Sequence, residues 1–206
     1  MTIQAVVFDI GNVLIEWKPE RYYDATIGED RRRAMFAEVD LHGMNDVVDR
    51  GGPFRETIYD WATKYPAWEA EIRMWHDQWL ELATPAIPHS VKLMRALRNK
   101  GIPTFILSNI GVRTWDIACQ AYPFLTEFDH AYVSGHMKTA KPDATIYEMV
   151  EQHSALPASG LLFADDRQDN LDTAAARGWN THLFEHPQGW AARLVSEGLL
   201  TSEEAA

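Results

Sequence analysis

Four short stretches of the chain place polar groups where apolar runs stop. Asp9 closes AVVFD, and Ser108 and Asn109 close PTFILSN. Lys141 stands in the loop GHMKTAKPD, and Asp165 and Asp166 close LLFADD, with Asp169 and Asn170 just beyond. Brought together, these groups suit phosphoryl chemistry. Two or three converging carboxylates repel one another unless a cation joins them, and hard oxygen ligands favour Mg²⁺. Ser108, backbone N–H groups and Lys141 can hold the equatorial oxygens of a phosphoryl group. Asp9 can then attack phosphorus to form an acyl phosphate that water later hydrolyses. Mg²⁺ would offset the repulsion between an anionic nucleophile and an anionic substrate.

Convergence requires that the apolar runs be neighbouring parallel strands. The runs lie at 5–9, 103–109, 130–135, 161–166 and 181–185, and the first, second and fourth are almost continuously apolar. Strands covered by helices on both faces have this composition. Helical patterns separate them: HSVKLMRALRNKG, GVRTWDIACQAY, ATIYEMVEQH, RQDNLDTAAARG and PQGWAARLVSEG. This alternation predicts an α/β fold, a Rossmann-like doubly wound parallel sheet. The polar end TSEEAA is expected to fray.

Residues 16–87 break the rhythm. They show no clear strand and read as four helices, ERYYDATIG, EDRRRAMFAEVDLHG, PFRETIYDWATKY and PAWEAEIRMWHDQWLELA, with Pro53 and Pro66 as first helical residues. The organisation expected is a core domain of residues 1–15 and 88–206 with an inserted α-helical cap at 16–87. An insert leaving after the first strand stands over the carboxyl ends of the strands, where open α/β sheets bind ligands. Trp68, Ile72, Trp75, Trp79 and Leu82 share one face of the last helix and read as cap core. Arg31, Arg32 and Arg33 read as a solvated helix face, and Arg50-Gly51-Gly52 as an inter-helix turn.

At 206 residues the chain can form one solid core or a core with a small insert. A net charge of −11 argues against nucleic acid or anionic membranes as partners. It does not exclude a small phosphorylated metabolite, which a local site can hold, and a monomer or homodimer is expected. The lone cysteine, Cys119, excludes an internal disulfide framework. With no basic, then apolar, N-terminal segment and no run near the ~18 apolar residues of a membrane helix, a cytoplasmic location is expected.

FDIGNVL, ILSN, KPD and FADDRQDN, in that order and each after an expected strand, resemble the motifs of the haloacid dehalogenase-like (HAD) hydrolase superfamily. The resemblance covers roughly 3–15 and 88–190. The insert is similar in position and helical character to the cap of subfamily I. Within the superfamily the chain looks most like the branch of bacterial α-D-glucose-1-phosphate phosphatase and the N-terminal phosphatase domain of epoxide hydrolases. The resemblance implies a Mg²⁺-dependent phosphatase acting through an aspartyl phosphate. Asp9 would be the nucleophile and a metal ligand, with the Gly11 carbonyl and the Asp166 carboxylate as further ligands. Asp165 would be a ligand or stand behind one, and Asn170 would support the metal site. Ser108 and Asn109 would bind phosphate, and Lys141 would bridge phosphate and nucleophile, with Lys138 its nearby competitor.

One departure matters. Most phosphatases of this superfamily carry a second Asp two residues after the nucleophile, as proton donor to the leaving oxygen. Here that residue is Gly11, which transfers no proton. General acid–base help is typically worth about 10²–10⁴-fold, and the need falls with a good leaving group. A sugar 1-phosphate, whose anomeric hydroxyl is comparatively acidic, would suffer least. A cap residue or a metal-bound water could also donate, and Glu16, His42 and His76 are candidates. Two other readings stay open: a metal-independent 2-haloacid dehalogenase, which also lacks the second Asp, and a non-catalytic binding protein on the same scaffold.

Overall fold

The computed structural model describes residues 2–206. Strand β1 (Ala5–Phe8) turns through Gly11-Asn12 into β2 (Ile15–Trp17). Helices α1 (Pro19–Ile27), α2 (Glu29–Glu38), α3 (Leu41–Asp49), α4 (Phe54–Lys64), α5 (Glu69–Asp77) and α6 (Trp79–Leu82) follow, and β3 (Ala83–Ala86) closes the insert. The chain then runs through α7 (Pro88–Asn99), β4 (Thr104–Ser108), α8 (Val112–Ala121), β5 (His130–Val133) and α9 (Ser134–Met137). It finishes with α10 (Ala144–Ser154), β6 (Leu161–Asp165), α11 (Gln168–Ala176), β7 (Asn180–Leu183) and α12 (Pro187–Ser196).

All five apolar runs are strands of one parallel sheet, in the order β5-β4-β1-β6-β7. The three most apolar runs are its centre, as burial on both faces requires. Alternate residues feed two cores. Val6, Phe8, Ile106 and Leu162 pack on one face with Trp190, while Val7, Leu107 and Phe163 pack on the other with Tyr147 and Trp179. In this register Phe8 pairs with Ile106 on one side and Ala164 on the other. The next residue of each strand, Asp9, Leu107 and Asp165, therefore lies at one level on the carboxyl rim.

The helical insert departs from its sequence reading in four ways. It has a two-stranded antiparallel stem, β2 with β3, where no strand was expected. Elements of three and four residues, one holding Pro85, are too short to show a period of two. The segment 29–43 is not one helix: the chain extends at Val39, and the Asp40 carboxylate accepts from the Gly43 N–H to start α3. The segment 66–83 is a 3₁₀ turn at Pro66–Trp68 followed by α5 and α6, divided at Gln78. Pro66 opens that turn, but Pro53 is not a first helical residue: its backbone is extended, at ψ 120°, and it immediately precedes α4.

The arginine run is also more than a solvated face. Arg31 Nε donates to Glu71 at 2.6 Å and its guanidinium covers the Trp68 ring, while Arg32 Nε donates to Asp24 at 2.8 Å. These ties join α2 to α5 and α1. Trp68, Ile72, Trp75, Trp79 and Leu82 are buried in the insert, as their spacing implies. The polar end folds back: Ala205 is buried, its carbonyl lies 2.8 Å from His89 Nε2, and Lys100 pairs with Glu204 at 3.0 Å. No described helix is long and apolar enough to cross a membrane.

The insert docks on the core through the end of α3. Ser134 Oγ donates to the Asp49 carbonyl at 2.6 Å, and Lys138 Nζ donates to the Gly51 carbonyl at 3.1 Å. Arg50 reaches both Asp46 (2.9 Å) and Asp143 (2.6 Å), one on each side of the junction. Gly51 has φ +89°, and a Cβ there would lie 2.4 Å from the Gly135 carbonyl oxygen. Its lack of a side chain thus serves a close approach as well as a turn.

Candidate active site

The strand register delivers Asp9 and Asp165 side by side, and Lys141 enters between them. Its ammonium lies 2.9 Å from Asp9 Oδ1 and donates to Asp165 Oδ2 at 2.6 Å and to the Leu107 carbonyl at 2.8 Å. Lys141 is 4% exposed, Asp9 7% and Asp165 0%. Burial alone would lower the Lys141 pKa, but Asp165 and Asp9 outweigh it and the net shift is upward. The lysine stays charged. Lys138, the competitor, is turned away to Gly51.

Asn109 explains how Lys141 is aimed. Its Nδ2 donates to the Lys141 carbonyl and its Oδ1 accepts from the Lys141 N–H, both at 2.8 Å. The side chain expected to touch phosphate thus also grips the lysine backbone, and it lines the cleft. Ser108 is buried at 3% exposure beside Asp9 and lines the cleft.

Asp165 and Asp166 divide their labour. Asp165 accepts from Lys141, from the Arg167 N–H at 2.8 Å and from Asn170 Nδ2 at 3.0 Å to each oxygen. Both of its oxygens are occupied, and the residue has no exposure. Asp166 instead lines the cleft, and Asn12 Nδ2 holds its Oδ2 at 2.8 Å. Asn12 was not singled out from sequence. It sits at φ 55°, a left-handed conformation that Asn tolerates, and its Oδ1 accepts from the Trp17 N–H at 3.1 Å. A Gly-Asn pair straight after a buried strand was the available signal.

Burial raises the Asp9 pKa to about 6. Lys141 and a Ser108 hydrogen bond oppose the rise, and Asp165 and Asp166 add to it. Asp166 is also raised, chiefly by burial. Oxygens of Asp9, Asp165 and Asp166 lie within 4.8 Å of one another. Three carboxylates against one ammonium leave a local formal charge of −2. Asn170 Oδ1 is buried with no hydrogen bond among the described residues, and Asp9 Oδ1 meets only the Lys141 ammonium. A hard divalent cation fits this donor set.

The site opens into a cleft of about 720 Å³ between sheet rim and insert. Trp17, Phe36, Trp75 and Trp79 form much of its apolar wall. Of the proposed donors, Glu16 and His42 line it, and Glu16 is paired with Arg21. His76 does not; it packs on Phe54 and Tyr59 and pairs with Asp77 at 2.7 Å. Asp49 does line it, and sequence reasoning passed it over. Its placement beside Asn45, one position round from the buried Leu41–Met44–Val48 stripe, was the only hint. His182 packs against Trp190, and His186 Nδ1 accepts from the Gly189 N–H.

A family model described as hydrolase, haloacid dehalogenase-like, matches residues 3–178. Among curated relatives, drimenol cyclase drtB of Aspergillus calidoustus is 23% identical over 188 residues, covering 88% of this chain and 34% of that protein. Sesquiterpene phosphatase astK of Aspergillus oryzae is 22% identical over 186 residues, covering 86% of this chain and 87% of that protein. An (S)-2-haloacid dehalogenase of Pseudomonas putida is 28% identical over 125 residues, covering 61% and 52%. The chain thus spans about a third of the cyclase and about half of the dehalogenase. A crystal structure of a HAD-family enzyme from Bacteroides thetaiotaomicron superposes with TM-score 0.72 at 22% identity, covering 94% of this chain and 99% of that one. The wild-type form of that enzyme in complex with magnesium and inorganic phosphate gives 0.65 at 23% identity, covering 87% and 93%. At this identity the likeness is one of fold.

Proposed function

The chain belongs to the haloacid dehalogenase-like hydrolase family, and from that premise we propose that it is a Mg²⁺-dependent phosphatase of small phosphomonoesters, with residues 16–87 as its cap. The observation that carries this reading is the buried Asp9–Lys141–Asp165 arrangement beside Asp166, whose net negative charge suits a dication. Asp9, Asp166 and the Gly11 carbonyl would hold the metal, and Asp165, with its oxygens already engaged, would stand behind them through Lys141 and Asn170. When bound, Mg²⁺ would neutralise charge between the Asp9 carboxylate and the phosphate dianion.

The chain's own residues then divide the work. Asn109 fixes the Lys141 backbone, and Lys141 holds Asp9 in place and offsets charge on the phosphoryl oxygens. Ser108 contacts those oxygens from the end of β4. The Asp9 carboxylate attacks phosphorus and the ester P–O bond breaks. Water then hydrolyses the resulting aspartyl phosphate.

The 2-haloacid dehalogenase reading is weaker, because the clustered Asp9, Asp165 and Asp166 oxygens suit a metal that such chemistry does not need. For the alcohol part of the substrate, the missing acid at Gly11 favours a sugar 1-phosphate wherever no other side chain supplies the proton. The aromatic wall supports a second reading, an ester with an apolar body, in keeping with the sesquiterpene phosphatase among the relatives.

A phosphate-release panel of sugar, prenyl and aryl phosphates, run with Mg²⁺ or EDTA beside Asp9→Asn, tests the proposal. Turnover should need Mg²⁺ and fall on the order of 10⁶-fold in Asp9→Asn, as when a covalent nucleophile is removed. Halide release from 2-chloropropionate in EDTA, without phosphatase activity, would overturn it. Glucose 6-phosphate cleared much faster than glucose 1-phosphate would reject the sugar 1-phosphate assignment alone.

A further inference from the structure

Resting on the phosphatase reading, we propose that Asp49, at the end of α3 in the insert, is the proton donor that Gly11 is not. Three features of its placement support this. It lines the same cleft as Asp9, Ser108 and Lys141, from the opposite wall. Its backbone is fixed to the core, since Ser134 Oγ donates to its carbonyl at 2.6 Å and Arg50, next in sequence, is paired with Asp143. Its carboxyl is aimed by a neutral donor: Asn45 Nδ2 donates to Oδ2 at 2.8 Å. Asn45 is itself oriented, because its Oδ1 accepts from Trp75 Nε1 at 3.1 Å.

The electrostatics are those of a group that holds a proton near neutrality. Burial raises the Asp49 pKa to about 7, with Asp46 and Asp9 adding to the rise. The Gly111 N–H and Lys141 oppose it. No cation contacts the Asp49 carboxylate among the ion pairs of the described residues, and the nearest arginine in sequence, Arg50, is engaged by Asp46 and Asp143. An acid poised near the operating pH is what proton transfer to an alkoxide requires.

The step balances without a further reactant. Asp9 forms a bond to phosphorus, the bond from phosphorus to the alcohol oxygen breaks, and that electron pair takes the Asp49 proton, so neutral alcohol leaves. In the second half, water attacks the aspartyl phosphate and gives a proton to the Asp49 carboxylate. The Asp9–phosphorus bond breaks, and phosphate departs with Asp9 and Asp49 restored.

The test compares leaving groups in the full-length Mg²⁺-loaded protein. Here kcat/KM is measured for p-nitrophenyl phosphate, whose phenolate leaves unprotonated, and for the best alkyl or sugar phosphate, in wild type, Asp49→Asn and Asp49→Ala. The loss in the variants should be about 10²–10⁴-fold for the alkyl ester. For the aryl ester it should stay within roughly tenfold, and retained aryl turnover shows that the variant is folded. Gly11→Asp placed on Asp49→Asn should recover alkyl turnover at least tenfold, since a Cβ at Gly11 would meet nothing closer than 3.7 Å. Equal losses for both esters, or no loss for either, would overturn the assignment and leave the phosphatase reading standing. Wild type inactive on both esters and on the wider panel would overturn both.

Discussion

The two walls of the cleft handle charge in opposite ways. On the sheet rim every acid at the site has an assigned partner: Lys141 for Asp9 and Asp165, Asn170 and the Arg167 N–H for Asp165, Asn12 for Asp166. On the insert, Glu16 at the cleft is paired with Arg21 and Arg50 engages Asp46 and Asp143, while Asp49, also on the cleft, has an amide donor and no ion pair. The rim holds buried charge ready for an anion. The insert withholds charge from one carboxyl so that it keeps its proton. The difference separates phosphoryl binding, which needs fixed ions, from proton transfer, which needs a group free to change state.

Removing the rim's cation should have the largest effect on the fold. Lys141→Met leaves Asp9 and Asp165 buried without their ammonium, and taking one partner from a buried pair typically costs about 3–5 kcal/mol. Urea unfolding at pH 7 in EDTA should show a loss of that size with an unchanged m-value. A loss below ~1 kcal/mol would mean that the rim tolerates bare carboxylates, and the contrast between the walls would fail.

The rim was legible in the sequence and the insert was not, for a physical reason. Parallel pairing puts the residue after each apolar run at one level, so AVVFD and LLFADD suffice to bring Asp9 beside Asp165. No such ruler exists in the insert. The break between α2 and α3 depends on Asp40 turning to the Gly43 N–H, and the close approach at Gly51 depends on a carbonyl of α9 more than 80 residues away. Asp46 and Asp49 look alike in DVVDRGG. Only packing shows that one faces Arg50 and the other the cleft. Asn109 marks the limit on the rim: its place was legible, but its engagement with the Lys141 backbone was not.

Asp49→Asn should have a smaller effect, opposite in sign. A carboxyl raised to about 7 in the folded chain, against about 3.9 unfolded, binds its proton more tightly when folded. It therefore costs stability as pH rises from about 4 to 7, and the full cost is present above 7. One pKa unit is about 1.4 kcal/mol, so the cost is at most ~4 kcal/mol, and solvent at this half-buried group reduces it. In EDTA, Asp49→Asn should therefore melt above wild type at pH 8 and equal it at pH 4. A variant less stable than wild type at pH 8 would show that the carboxylate is welcomed there, which would bring the two walls into line.

The smallest effect belongs to the charges that join the walls. Arg50 is 38% exposed at its side chain, with Asp46 at 54% and Asp143 at 45%, and exposed pairs of this kind are worth about 0–1 kcal/mol each. The Gly51–Gly135 contact and the Ser134–Asp49 and Lys138–Gly51 hydrogen bonds remain when the guanidinium is gone. Arg50→Ala should accordingly raise KM by no more than a few-fold and leave kcat within about twofold. A fall in kcat beyond ~100-fold would mean that shape does not seat α3. A solvated ion pair would then set where Asp49 stands, and the insert would depend on fixed charge as the rim does.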